Sequence, residues 1–241
     1  ISLVGDRHSG NALGPFVIEG NGAILDGAAP VPPEAWEHYR GPVFRFRPAR
    51  LGHQQLFLDD RPALRVPVSR QAEDPPDLGP MEWCLHAGHI YFSVAPDSTR
   101  LPPDYPLSCA KQRVGITLYH VDGVAIVDLT VQGFQLDGIN AFNSARDVTL
   151  SGVTCRGNGR SGITVGGASQ VRIDACLVGN NGAAQLLTLP YSETGVENTE
   201  LLPNTAPGWV DQGGRVYVDG KRVQGGLEKV APQPAAQAGG K

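Results

Sequence analysis

Residues 148–170 read VTLSGVTCRGNGRSGITVGGASQ, and residues 171–193 follow directly as VRIDACLVGNNGAAQLLTLPYSE. Both segments are 23 residues long, carry apolar residues in the same columns, and hold a small Asn/Gly cluster at their centre. Extended backward, the period takes in 124–147; extended forward, it continues from Thr194. The columns then read Ile126, Leu150, Ile173 and Val196; Leu129, Val153 and Cys176; Val131, Cys155, Val178 and Leu201; and Ile116, Ile139, Ile163, Leu186 and Trp209. Within each copy the apolar residues alternate in three short bursts, which is the period of a β-strand. Strands this short cannot bury a face alone, so each must pair in parallel with its counterpart one copy on. The expected fold class is all-β, a right-handed parallel β-helix with three strands per coil.

Asn158, Asn181 and Asn204 recur in the turn after the second strand, where Asn tolerates a left-handed backbone and a side-chain ladder can form. GNGRSG, residues 157–162, matches a dinucleotide fingerprint but leads into the strand ITV rather than a helix, so the repeat accounts for it. Cys155 shares a column with Val178 and Cys176 with Val153. The two thiols are thus offset by two residues on neighbouring strands, about 8 Å apart and too far for a disulfide. Both are expected to be free, and the pairing of Cys84 and Cys109 stays open.

The coils, together with FVIEGNGAILDG at 16–27, resemble the pectin-lyase-like right-handed β-helix superfamily, whose members mostly cleave, epimerise or bind polysaccharides. Between Gly27 and Val114 the repeat gives way to hairpin-like text, VFRFR, QQLFLDDRPALRV, EWCLHAGHIYFSV and a Pro-rich return. This resembles a β-domain inserted into some carbohydrate-active β-helix proteins. The expected organisation is first coils at 1–29 with the N-terminal cap missing, an inserted antiparallel β-domain at 30–112, coils at 113–212, a hairpin or cap at 213–226, and a disordered tail at 227–241. ISLVG at the start reads as a strand with Ile1 and Leu3 inward, so further coding sequence is expected upstream.

Glycine, at 31 of 241 residues, and 20 prolines make turns dense and long helices unexpected. A formal charge of −4 with no basic run argues against nucleic acid as partner, and no apolar run approaches the ~20 residues of a membrane span. The resemblance implies a secreted, periplasmic or surface protein with a polysaccharide or oligosaccharide partner, acting as a lyase, hydrolase or epimerase. The alternative is a noncatalytic glycan-binding or structural β-helix module.

Chemistry is expected in a cleft where the excursion overhangs the outer face of the third-strand sheet. Alternation turns Thr117, Tyr119, Asn140, Phe142, Thr164 and Leu187 outward, and Tyr119, Asn140, Phe142 and Thr164 are the candidate sugar contacts. Asp137, in QLDGIN, stands at the mouth of that face as its one evident carboxylate. Glycoside hydrolysis needs a second, from Asp59, Asp60, Asp74 or Asp77. Lyase or epimerase chemistry needs a base and a cation for the uronate, with Arg160, Arg156, His120 and Tyr191 as candidates. QLDGIN followed by GRSGITVGG resembles the polygalacturonase pattern, without its paired Asp in the following coil or its Gly-His-Gly. His86 and His89 could be metal ligands but lack a third partner in sequence. No cofactor is specified, and Ca2+ is the ion to look for should the chemistry be that of a lyase.

Overall fold

The computed structural model describes residues 1–11, 13–50, 52–69, 71–96 and 99–225. The tail expected at 227–241 lies outside them. The apolar columns stack in the expected register. Ile126 pairs with Ile18 and Leu150, and the line continues through Ile173 to Val196. Val131, Cys155, Val178 and Leu201 form a second line, and Ile116, Ile139, Ile163, Leu186 and Trp209 a third. Ile126, Ile139, Leu150, Ile163 and Ile173 are wholly buried. Each such side chain contributes about 1.5–3 kcal/mol on burial, so the columns are the main stabilising term of the coils.

The third strands, Ser2–Val4, Ile116–Tyr119, Asp137–Phe142, Ser161–Val165, Ala184–Thr188 and Trp209–Asp211, form a six-stranded parallel sheet. First and second strand positions do not separate into two sheets. Phe16–Asp26 and Asp122–Gln132 run through the corner between them, so both positions share one ten-stranded sheet. The corner is absorbed where the register shifts between Val127 and Leu129, with Asp128 at φ 48°. In later coils Gly152, Ala175 and Asn198 take the same left-handed position. Leu3 is buried beside Leu118, whereas Ile1 is 56% exposed and not inward as expected; its amino group donates to the Gly115 carbonyl.

The expected side-chain ladder is present between Asn158 and Asn181, but the left-handed backbone expected of these residues is not theirs. The left-handed residues of this corner are Gly133, Gly157 and Asn180, while Asn158 and Asn181 are fully buried and point inward. Asn181 Oδ1 accepts from the Asn158 backbone N–H at 2.9 Å and from Asn158 Nδ2 at 3.0 Å. Asn181 Nδ2 donates to the carbonyls of Cys155 and Gly179 and to Gln185 Oε1. Asn204 stands on the surface and exchanges bonds with Asn180 instead. The ladder satisfies carbonyls that the corner would otherwise bury unpaired.

Between Gly27 and Lys111 the chain makes an excursion whose two ends are stitched together, since Ala28–Pro30 pairs antiparallel with Leu107–Ala110 and the Lys111 and Gln112 amides both donate to the Gly27 carbonyl. Leu107–Ala110 then pairs with Leu56–Leu58 in a four-stranded sheet. A five-stranded sheet carries the hairpin of Glu82–His86 and His89–Ser93, turned by Ala87 and Gly88 at positive φ. Trp83, Leu56, Ile90 and Phe92 give the excursion its own core. A second such turn, at Asp219 and Gly220, joins Arg215–Val218 to Lys221–Val223.

The excursion rests on the corner between second and third strands, where an overhang of the third-strand face was expected. Gly157 lies under Phe57 and Pro62, with a Cβ there 2.8 Å from the Phe57 ring. Gln55 Nε2 donates to the Asn180 carbonyl at 3.4 Å. No helix of the described residues is long and apolar enough to cross a membrane.

Because Asn181 serves several buried groups at once, Asn181→Ala should cost roughly 1–3 kcal/mol in urea unfolding. Asn204→Ala, on the surface, should cost less than about 1 kcal/mol. Equal losses would contradict the buried ladder.

Candidate functional site

Asp137 opens a third strand, and the next residue decides its environment. A Cβ on Gly138 would stand 2.8 Å from Asn158 Nδ2, so Gly138 turns inward, as does Ile139 after it. Two consecutive inward residues leave Asp137 and Asn140 together on the outer face. Asn140 Nδ2 donates to Asp137 Oδ2 at 2.9 Å. One coil on, Ser161 pairs in register with Asp137, and its Oγ donates to Oδ1 at 2.8 Å. Arg160 adds a fork, Nε to Oδ1 at 2.8 Å and Nη2 to Oδ2 at 2.5 Å. Four donors therefore meet one carboxylate, which uses its lone-pair sites fully.

This corrects the expectation of Asp137 at an open mouth. Its side chain is 0% exposed, because Arg160 closes over it while keeping 32% of its own side chain accessible. The bond to Asp137 pushes the Arg160 guanidinium above its ordinary value. Such a carboxylate positions Arg160 and is poorly placed to move a proton. Thr164, expected outward as a sugar contact, is also wholly buried, with its Oγ1 2.6 Å from Ser161 Oγ. Leu187 is buried too. Asn140 Oδ1 is buried with no partner among the described residues.

The residue that sequence reading missed is His53, carried to this edge by the excursion. Gly159 admits it: a Cβ there would stand 2.2 Å from the Gln135 carbonyl oxygen and 3.1 Å from the His53 backbone. The His53 backbone lies against Gly159, and the residue is exposed to solvent. Burial of part of the ring, and then the Arg160 charge, push its pKa below 6.5 against the opposing pull of Asp137, with Arg65 a smaller contribution in the direction of Arg160. His53 is thus a neutral imidazole at neutral pH, next to a fixed cation.

The remaining candidates fall elsewhere. Tyr119 and Phe142 are register partners and exposed, 44% and 42%, at the opposite end of the third strand. Five residues separate Phe142 from Asp137, about 16 Å of strand. His120, at φ 53°, packs its ring edge-on against Tyr119 at 4.4 Å, and Tyr191, 88% exposed, lies three coils along. The structure brings Asp137, Arg160, Asn140 and Thr164 together, and separates them from Tyr119, Phe142, His120 and Tyr191. Arg156 turns away to Gln132.

Of the carboxylates considered for a pair with Asp137, Asp77 is engaged by Arg40, and Asp59 and Asp60 form a left-handed turn in the excursion; among the described residues the hydrogen-bond partners of the Asp137 carboxylate are Arg160, Ser161 and Asn140. Among the described residues no group of three or more His, Cys, Asp or Glu side chains is placed to hold a metal. His86 contacts the Glu73 carbonyl, not a ligand set shared with His89. Calcium does not fit at Asp137 either, whose oxygens are taken by Arg160, Ser161 and Asn140.

Residues 114–222 match the protein family described as "Right handed beta helix region". These coils are a right-handed β-helix. A solved structure titled "The complex structure of XylC with xylose" is similar at TM-score 0.35 and 10% identity, over 77% of this chain and 56% of that chain. The β-helix chain thus spans little more than half of that protein's chain. No curated protein matches it.

The saturated geometry of Asp137 makes it a stability residue. Asp137→Asn should lower unfolding free energy by roughly 1.5–3 kcal/mol in urea titration, because two donors of Arg160 lose a charged acceptor. Unchanged stability would show that the fork is not formed.

Proposed function

We propose that this β-helix protein is a secreted, polysaccharide-active protein whose site is the edge formed by His53 and Arg160, and that it breaks or inverts acidic sugar by proton abstraction rather than by hydrolysis. The carrying observation is an exposed imidazole placed against the turn that carries Arg160, whose guanidinium a buried carboxylate holds in place. In a lyase reaction His53 takes the proton from the carbon that bears the uronate carboxylate, and Arg160 offsets the charge that builds on that carboxylate. The electron pair forms a carbon–carbon double bond as the neighbouring glycosidic carbon–oxygen bond breaks, and the leaving oxygen is protonated by water. Return of a proton to the opposite face instead gives epimerisation. Hydrolysis loses support because the Asp137 carboxylate is buried and fully bonded to Arg160, Ser161 and Asn140. A noncatalytic glycan-binding module is the second reading, favoured by that same saturation.

The test is product formation over a panel of polysaccharides, followed by ultraviolet absorbance of the unsaturated uronate and by inversion of sugar stereochemistry. His53→Gln should lower turnover by about 10²-fold or more while leaving the unfolding midpoint unchanged. The sign of the pH effect is fixed, since the reaction needs the neutral ring. Turnover should be full above the ordinary value of 6.5 and should fall as pH drops through the lower value that His53 has in the fold. Turnover indifferent to His53→Gln would sink the mechanism, and glycan binding without any turnover would leave the binding module.

A further inference from the structure

Arg65 lies at the same corner, one coil beyond His53. Its strand, Leu64–Arg65, runs parallel to Glu82–His86, and its guanidinium sits 5.2 Å from the centre of the Trp83 ring. Nη1 reaches to 3.4 Å from the place a Cβ on Gly182 would take. A groove of about 370 Å³ opens there, with Gln55 and Arg65 on the excursion side and Asn180, Gly182, Asn204 and Thr205 on the coil side.

What is missing around Arg65 is an acceptor. Among the described residues it makes no ion pair and no hydrogen bond, although a guanidinium carries five donors. Burial pushes its pKa down, and the titratable neighbour acting on it is the Cys84 thiol, itself pushed up to about 11 and so protonated at neutral pH. Arg65 is half-buried, and withdrawing part of a cation from water with no protein counter-ion or acceptor is unfavourable; stacking on Trp83 offsets part of that cost. The amide Nδ2 of Asn180 also faces no protein acceptor among the described residues, while its Oδ1 is engaged by Asn204. Two unused donor groups thus border one groove.

We propose that this groove is an anion subsite in which Arg65 binds the carboxylate of an acidic sugar residue. The inference rests on the polysaccharide reading for the class of ligand, and is independent of whether any bond is cleaved. Arg160 follows Gly159, against which the His53 backbone lies, and Arg65 reaches Gly182 one coil on, so the corner presents two cations along its length. A polyuronate, with a carboxylate on each sugar, supplies charges to both. The fork of Arg65 recognises a planar carboxylate through paired N–H donors.

The experiment is calorimetric titration of the full chain with galacturonic acid oligomers, sulfated oligosaccharides and uncharged xylan oligomers. Arg65→Gln should weaken binding of the galacturonic acid oligomers at least about tenfold and leave uncharged oligomers unaffected. Thr205→Glu brings a carboxylate into the groove from the exposed coil side and should have the same effect. That second variant keeps the test valid should Arg65→Gln fail to fold. Release of unsaturated uronate by the wild type, read on the same oligomers, separates the two: Arg65-dependent binding without any turnover supports the subsite and removes the proposed reaction. Binding of galacturonic acid oligomers unaltered in both groove variants would overturn the subsite. Arg65-dependent binding of the sulfated oligosaccharide alone would overturn its assignment to a carboxylate.

Discussion

Everything in this molecule depends on coil stacking in register. A strand of three to six residues buries too little to hold itself, and only when Ile139 lies over Ile163 and Ile163 over Leu186 does a continuous core exist. That constraint fixes the corners as well. Each coil must turn within one or two residues at the same height, which brings the left-handed positions of Gly157 and Asn180 into line and puts Asn158 and Asn181 inside, bonded to the carbonyls around them. It also makes the corner between second and third strands narrow and glycine-rich, and so able to accept the excursion's backbone at close range.

The columns were legible in sequence because stacking imposes a period that side-chain character must follow, and the Ile126, Val131 and Ile116 columns are present as ladders of register partners. The union of first and second strands was not. It depends on Asp128 absorbing the bend without breaking the ladder, and nothing in an alternating pattern distinguishes a bent strand from two strands. The Asn recurrence pointed to the side-chain ladder that Asn158 and Asn181 form, but Asn204 lies on the surface, and the left-handed backbone belongs to Gly157 and Asn180 instead.

Asp137 shows how a departure from a column can mislead. Ser161 and Ala184 occupy its place in later coils, which made the carboxylate look released from packing. Alternation then gave it an open face, because it does not anticipate Gly138 and Ile139 both turning inward. The departure answers Arg160 instead, and the pair is a fixed part of the surface. His53 and Arg65 were illegible for another reason. They come from a stretch without periodicity, and only the docking of that stretch on the coil corner brings them beside Arg160.

The central claim is that function belongs to this corner and not to the exposed aromatic pair at the far end of the third strand. Backbone hydrogen exchange of the full chain, with and without saturating galacturonic acid oligomers, tests it directly. The account predicts slowed exchange at residues 52–65, 156–160 and 179–183, with residues 117–121 and 141–145 unchanged. Slowed exchange confined to the Tyr119 and Phe142 end, with the corner unchanged, would contradict it.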